Sequence, residues 1–373
     1  MRHKWLVILL SFAIGIFLTM CIVIFVLLDD HLSIEETAIS GLITIADDYT
    51  RRVAISPDNT LIATGGKETV YIYNYPSKSL VKTLGLSKSD TVQDIVWSLD
   101  GSLSGVAYTN ANVEIWNTKN WLLELKAQAP FDIDPELDLT QLAFNPKNEL
   151  LASTLGSLLK ASDSKWYLWR VQAKPTVKLL GTTTASMVFN RDRSLLAGID
   201  RRFQADSAMI ETTITLWNLA TETIVWEKSY QGSLNDRSMD AAQYIFSCNY
   251  YQHCKRLAIS SSNNLIAFGT SYGTIEVWDF AKNELKYTIR AYSNRTGNIY
   301  FDPSGNTLIS MSDYQVDDPI PGDEYIKLWD ATTGKGIKKL KGVMNLPTDL
   351  SFSTKEKTFI TANSTSEITF WKY

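Results

Sequence analysis

Two hydrophobic patterns divide the chain. Residues 5–28, WLVILLSFAIGIFLTMCIVIFVLL, form one apolar run without a charge, whereas beyond residue 38 apolar residues come in short runs broken by polar ones. One such pattern recurs seven times: VAISPDNTLIATG from Val53, IVWSLDGSLSGVA from Ile95, LAFNPKNELLAS from Leu142, MVFNRDRSLLAG from Met187, LAISSSNNLIAFG from Leu257, IYFDPSGNTLIS from Ile299 and LSFSTKEKTFITA from Leu350. Each reads as two strands around a tight turn, because Pro, Asp, Asn, Ser and Gly supply the turn conformations that separate strands.

A third strand closes each unit on an aromatic residue: VYIYN (Tyr73), VEIWN (Trp116), WYLWR (Trp169), ITLWN (Trp217), IEVWD (Trp278), IKLWD (Trp329) and ITFWK (Trp371). A fourth apolar-polar strand follows in six units, as in SLVKTL, WLLELK and LKYTI. Four strands per unit, a terminal Trp-Asp in two units and a Trp-Asn in two more resemble the WD40 repeat. The resemblance covers residues 40–373 and implies an all-β, seven-bladed β-propeller. The Gly-His pair usual between blades is absent and the Asp expected before the Trp strand is mostly missing. The polar network those residues build is therefore not expected, which leaves blade stability to apolar packing.

The last unit stops after its third strand, at Tyr373, while one unassigned β-like segment, residues 39–46, precedes the first. Pairing the two would close the ring and remove an open edge. The expected organisation is a cytoplasmic N-terminus (1–4), a transmembrane signal-anchor helix (5–28), a stalk or linker (29–38) and the propeller (39–373), with 39–46 as the closing strand of the last blade. As a helix, 24 residues span roughly 36 Å, enough for a hydrocarbon core near 30 Å. Arg2 and Lys4 precede the span; Asp29, Asp30, Glu35 and Glu36 follow it. The positive-inside bias then places the N-terminus in the cytoplasm and the propeller outside, a single-pass protein of the cell membrane.

The charge, 36 basic against 40 acidic residues, gives no field to attract nucleic acid. Of three histidines, only His31 and His253 lie beyond the anchor, and no zinc spacing or phosphate-cradling glycine loop occurs. No catalytic residue, cofactor or metal ligand is expected. The carboxylates at Asp132, Asp134, Glu136 and Asp138, and those from Asp313 to Glu324, lack calcium-loop spacing.

Function is expected where the chain departs from its own repeat. Long segments at 155–165, 199–212 and 313–325 join second to third strands, and 127–140 and 229–255 join blades; topology puts all of them at one end of a propeller. Candidate contacts there are Arg201, Arg202, Phe203, Tyr250, Tyr251, Tyr272 and Tyr314, because Arg and aromatic side chains make the anchors of protein interfaces. The expected function is a membrane-tethered, non-enzymatic scaffold that binds a protein or peptide; the alternative is a propeller enzyme or glycan-binding lectin with its site among the inserted loops. Cys248 and Cys254 stand six positions apart in one insertion. In an oxidising compartment they should pair, stabilising the chain by about 2–3 kcal/mol. Alkylation under denaturing, non-reducing conditions should then find neither thiol reactive; two reactive thiols would exclude the bond.

Overall fold

The computed structural model describes residues 33–35, 39–45, 50–67, 69–85, 91–109, 112–128, 138–155, 165–171, 176–182, 184–204, 209–233, 256–260, 262, 264–270, 273–293, 296–312, 326–341, 347–363 and 366–373. Each repeated unit folds into one antiparallel sheet with strands hydrogen-bonded in chain order, giving seven blades. Their inner strands are Thr50–Ile55, Val92–Trp97, Asp138–Phe144, Thr184–Phe189, Leu257–Ile259, Thr296–Phe301 and Pro347–Phe352. All seven contribute to the wall of one central channel.

Second strands such as Leu265–Gly269 and Thr358–Asn363 are buried along their whole length, since both faces meet a neighbouring sheet. The core is accordingly divided among the interfaces. Seven buried clusters each join two adjacent blades: Ile72 with Trp97, Ile115 with Trp169, Leu151 with Leu196, Ile214 with Phe268, Val277 with Leu308, Leu328 with Phe359, and Ile62 with Ile360 between first and last.

The ring closes through the segment before the first blade. Ile39–Thr44 pairs antiparallel with Glu367–Lys372, placing Ile39 opposite Trp371. Just upstream, Ser33–Glu35 pairs parallel with Gly336–Leu340 and makes the sixth blade five-stranded. Part of the segment expected to be a stalk is thus sheet; its three residues carry no hydrophobic pattern and are held by the backbone of an exposed edge.

Turn chemistry explains which polar residues recur. In four blades the residue after the inner strand caps its own turn in one way: Ser56, Ser98, Asn190 and Asp302 accept the backbone N–H five positions on, each at 2.9 Å. Asn74, Asn117, Asn218, Asp279 and Asp330 likewise accept backbone N–H groups in the turn to the fourth strand. Asn serves there as well as Asp because the task is a single carbonyl-like acceptor.

The expected absence of polar links is corrected in part. Trp329 donates its indole N–H to Ser310 at 2.9 Å and Trp371 donates to Thr361 at 3.0 Å, both inside the sheet. Between blades, polar links concentrate at one inner-strand position, occupied by Arg52, Asp94, Gln141, Arg256, Asn298 and Asp349 in the six blades where its side chain is described; all six are buried. In six blades the register of inner and second strands shifts at or just before this position. Such a bulge leaves backbone groups unpaired and re-aims the next side chain. Asp94 accepts the N–H of Leu142 at 2.7 Å and Asp349 that of Val53 at 3.3 Å. Arg52 donates to the carbonyl of Gln93, and Asn298 to that of Thr348 at 3.1 Å. Each latch reaches the next blade, that of Asp349 across the closure.

Asp349 also accepts the phenol O–H of Tyr300 at 3.2 Å, whose pKa is raised by burial first and then by this carboxylate. Asp349→Ala should therefore strand a buried N–H and a buried O–H and cost about 2–4 kcal/mol in urea unfolding. Lys282→Ala, which removes an exposed 3.5 Å ion pair with Asp279, should cost less than about 0.5 kcal/mol. Equal losses would refute the latch.

Candidate functional site

Two regions remain once the blades are accounted for. The first is the insertion in the fourth blade. Residues 199–212, expected to be a loop, are mostly strand: Leu195–Gln204 pairs with Met209–Asn218 from Leu195 opposite Asn218 to Gln204 opposite Met209. Thr223–Ser233 follows as far as Ser233 opposite Met209. A three-stranded ribbon therefore runs on from the blade. Arg201, Arg202 and Phe203 are consecutive residues of it, opposite Thr212, Glu211 and Ile210.

The ribbon is fixed at its base to the fifth blade. Tyr230 donates to a Glu276 carboxylate oxygen at 2.7 Å, and Trp278 donates to the same oxygen at 2.9 Å. The Lys228 ammonium lies 4.6 Å from the centre of the Trp278 ring. Burial and, after it, the Glu276 charge raise the pKa of Tyr230, so its O–H stays a donor through the physiological range.

Of the other candidates, Tyr250, Tyr251, Tyr272, Tyr314, Cys248 and Cys254 lie outside the described residues, as do residues 5–28 and His253. No helix among the described residues is long and apolar enough to cross a membrane. Among them, too, no three His, Cys, Asp or Glu side chains gather as a metal site.

The second region is the channel, which the sequence reading did not single out. It holds a cavity of about 490 Å³, of the size that takes small ligands or short peptide segments. Its wall is mostly apolar, with Asp94, Gln141 and Asp349 in it and Arg191 and Arg193 among the first-to-second-strand turns. Nothing in the repeat marks this region, because its residues come from all seven units.

No protein-family model matches the chain. It is similar to nuclear distribution protein PAC1 of Arthroderma otae, 23% identical over 303 residues, which are 79% of this chain and 61% of that protein. The match therefore spans less than two thirds of that relative. A chain in the crystal structure of a mitotic checkpoint complex superposes with a TM-score of 0.67 at 16% identity, covering 91% of this chain and 92% of that one. The β-propeller domain of Cps50 (Swd1) from Myceliophteria thermophila superposes at 0.63 and 12% identity, covering 89% and 100%. These likenesses and the seven sheets define the fold as a WD40-type seven-bladed β-propeller.

Proposed function

We infer that this chain is a membrane-tethered interaction module that binds a protein or peptide partner through its insertion-bearing end. The observation that carries the reading is the fourth-blade ribbon, a long hairpin carrying Arg201, Arg202 and Phe203 and rooted in the ring by Tyr230 and Glu276. Rigid presentation lowers the ordering cost of binding and so suits recognition. A similar propeller occurs in a mitotic checkpoint complex, an assembly of proteins, which agrees with a scaffold role. Tethering rests on residues 5–28 and on the charges flanking them, which also favour an extracytoplasmic propeller.

Two measurements test this reading. Protease added to intact cells should remove a tag placed after Tyr373, and protection of that tag would refute the outward orientation. Partner capture by the full-length chain should weaken roughly thirtyfold in Arg202→Ala or Tyr251→Ala, the effect of losing an interface anchor. Lys147→Ala, in a turn at the other end, should change it less than about twofold. The reverse ranking would move the partner to that other end.

A further inference from the structure

The sixth blade fixes the direction from which the chain enters the ring. Each inner strand runs toward the end that carries the first-to-second-strand turns, and because neighbouring strands of a blade are antiparallel, each fourth strand runs away from it. Ser33–Glu35 is parallel to the fourth strand Gly336–Leu340, with Ser33 opposite Lys338 and Glu35 opposite Leu340. The residues before Ser33 therefore approach from the first-to-second-turn end, opposite the fourth-blade ribbon. Only residues 29–32 separate that strand from the apolar run 5–28. Fully extended, they allow at most about 18 Å between residues 28 and 33, and a reversal toward the other end would use all of them in the turn itself.

The outer wall at that end differs from the rest. Among the described residues, every exposed large apolar side chain except Leu99 belongs to the outermost strand of a blade, in its first four positions or just before it, as with Leu80, Leu122, Ile224, Leu285, Ile337 and Ile39. Leu99 lies in a first-to-second-strand turn at the same end. The later halves of these outermost strands turn apolar residues inward instead: Ile43, Leu84, Ile289 and Leu340 are buried. Exposed apolar groups gathered at one end mark a surface that meets something apolar.

Position and charge narrow what that is. Ile337 directly precedes Lys338, the partner of Ser33, so it sits beside the incoming chain. Leu285 and Ile39 hold the corresponding place in the fifth and seventh blades on either side. Charges at this end are mixed, Asp58, Asp100 and Glu222 standing among Lys78, Lys119 and Lys282 in its turns. Apolar contact, not a net field, is what the end offers.

We propose that the fifth, sixth and seventh blades seat this end of the propeller on the bilayer, with Leu285, Ile337 and Ile39 in the interfacial layer, so that the insertion-bearing end faces away from the lipid. The inference rests on the tether read from residues 5–28 and gives that tether an orientation. The short connection selects the sector, and burial of the rim side chains at the boundary of headgroups and acyl chains holds it there. The fourth-blade ribbon is then presented to a partner approaching from outside the membrane.

The test reconstitutes the full-length chain in phosphatidylcholine vesicles doped with a phosphatidylcholine that carries a photoactivatable diazirine on its acyl chain, and maps the lipid cross-links by mass spectrometry. Cross-links should fall on residues 5–28 and on the peptides holding Ile39, Leu285 and Ile337, and be absent from the ribbon. Leu285→Gln combined with Ile337→Gln should lose the cross-links at the rim, keep those at 5–28 and leave the melting temperature unchanged, since both side chains are exposed. Cross-links at 5–28 with none at the rim, as when a second copy covers it, or with some on the ribbon, would overturn the arrangement and spare the tether. Rim cross-links that require added phosphatidylserine, or that survive in the double variant, would overturn the apolar contact. A chain that fails to float with the vesicles would overturn the tether, and the arrangement with it.

Discussion

Every blade presents to the channel a strand with a neighbour on one side only, and the hydrogen-bonding groups on its open side are the constraint from which the ring is built. An unpaired buried N–H or C=O costs about as much as a lost hydrogen bond, and seven inner strands multiply that cost. Here a bulge at the start of six of the inner strands concentrates the problem at one level of the channel. In four of these blades the side chain that follows then solves it for the next blade. Asp94 and Asp349 accept an N–H; Arg52 and Asn298 donate to the carbonyl of a bulged residue, Gln93 or Thr348. Acid or donor is chosen by which backbone group the neighbour leaves open, so the position keeps its polarity while its residue type changes.

The apolar core obeys the same logic of neighbours. No cluster is confined to one blade: Ile62 needs Ile360 and Leu151 needs Leu196. A single sheet would expose half of its apolar area, so stability belongs to the closed ring rather than to its units. Closure is correspondingly heavily made. Beyond the pairing of Ile39–Thr44 with Glu367–Lys372, Asn59 and Thr354 exchange two hydrogen bonds, at 2.8 and 3.1 Å, and Tyr75 meets Thr358 at 3.0 Å.

What could be read in the sequence was what repeats. Short apolar runs on either side of a turn marked the first two strands, and the aromatic followed by Asn or Asp marked the third, since an Asx cap demands a particular side chain. Three features escaped for physical reasons. Ser33–Glu35 joins a sheet by pairing with Gly336–Leu340, and three residues are too few to show a pattern. The fourth-blade ribbon, with polar residues such as Arg201, Arg202 and Glu211, lacks the continuous apolar face that makes a strand legible. The latch position escaped because Arg, Asp and Asn answer one geometric need with different chemistry. Of the candidate site, Arg201, Arg202 and Phe203 were read as part of a loop and lie in a strand; the channel was not named at all, because its residues are far apart in sequence.

The two ends of the propeller differ in how far the chain is free to vary. At the end carrying the first-to-second-strand turns, each turn must bring the strands back in register within a few residues, and a capping Ser, Asn or Asp with a positive-φ Asn or Gly does so in blade after blade. At the other end insertions cost little, because the blade below is already closed and extra length adds only slowly to the entropy of a loop. The fourth blade breaks the pattern at both ends, with a ribbon extended from one and an arginine forced into the turn at the other. Since its inner strand packs through Met187 against Leu151 and Leu168 like any other blade, neither departure is required by packing.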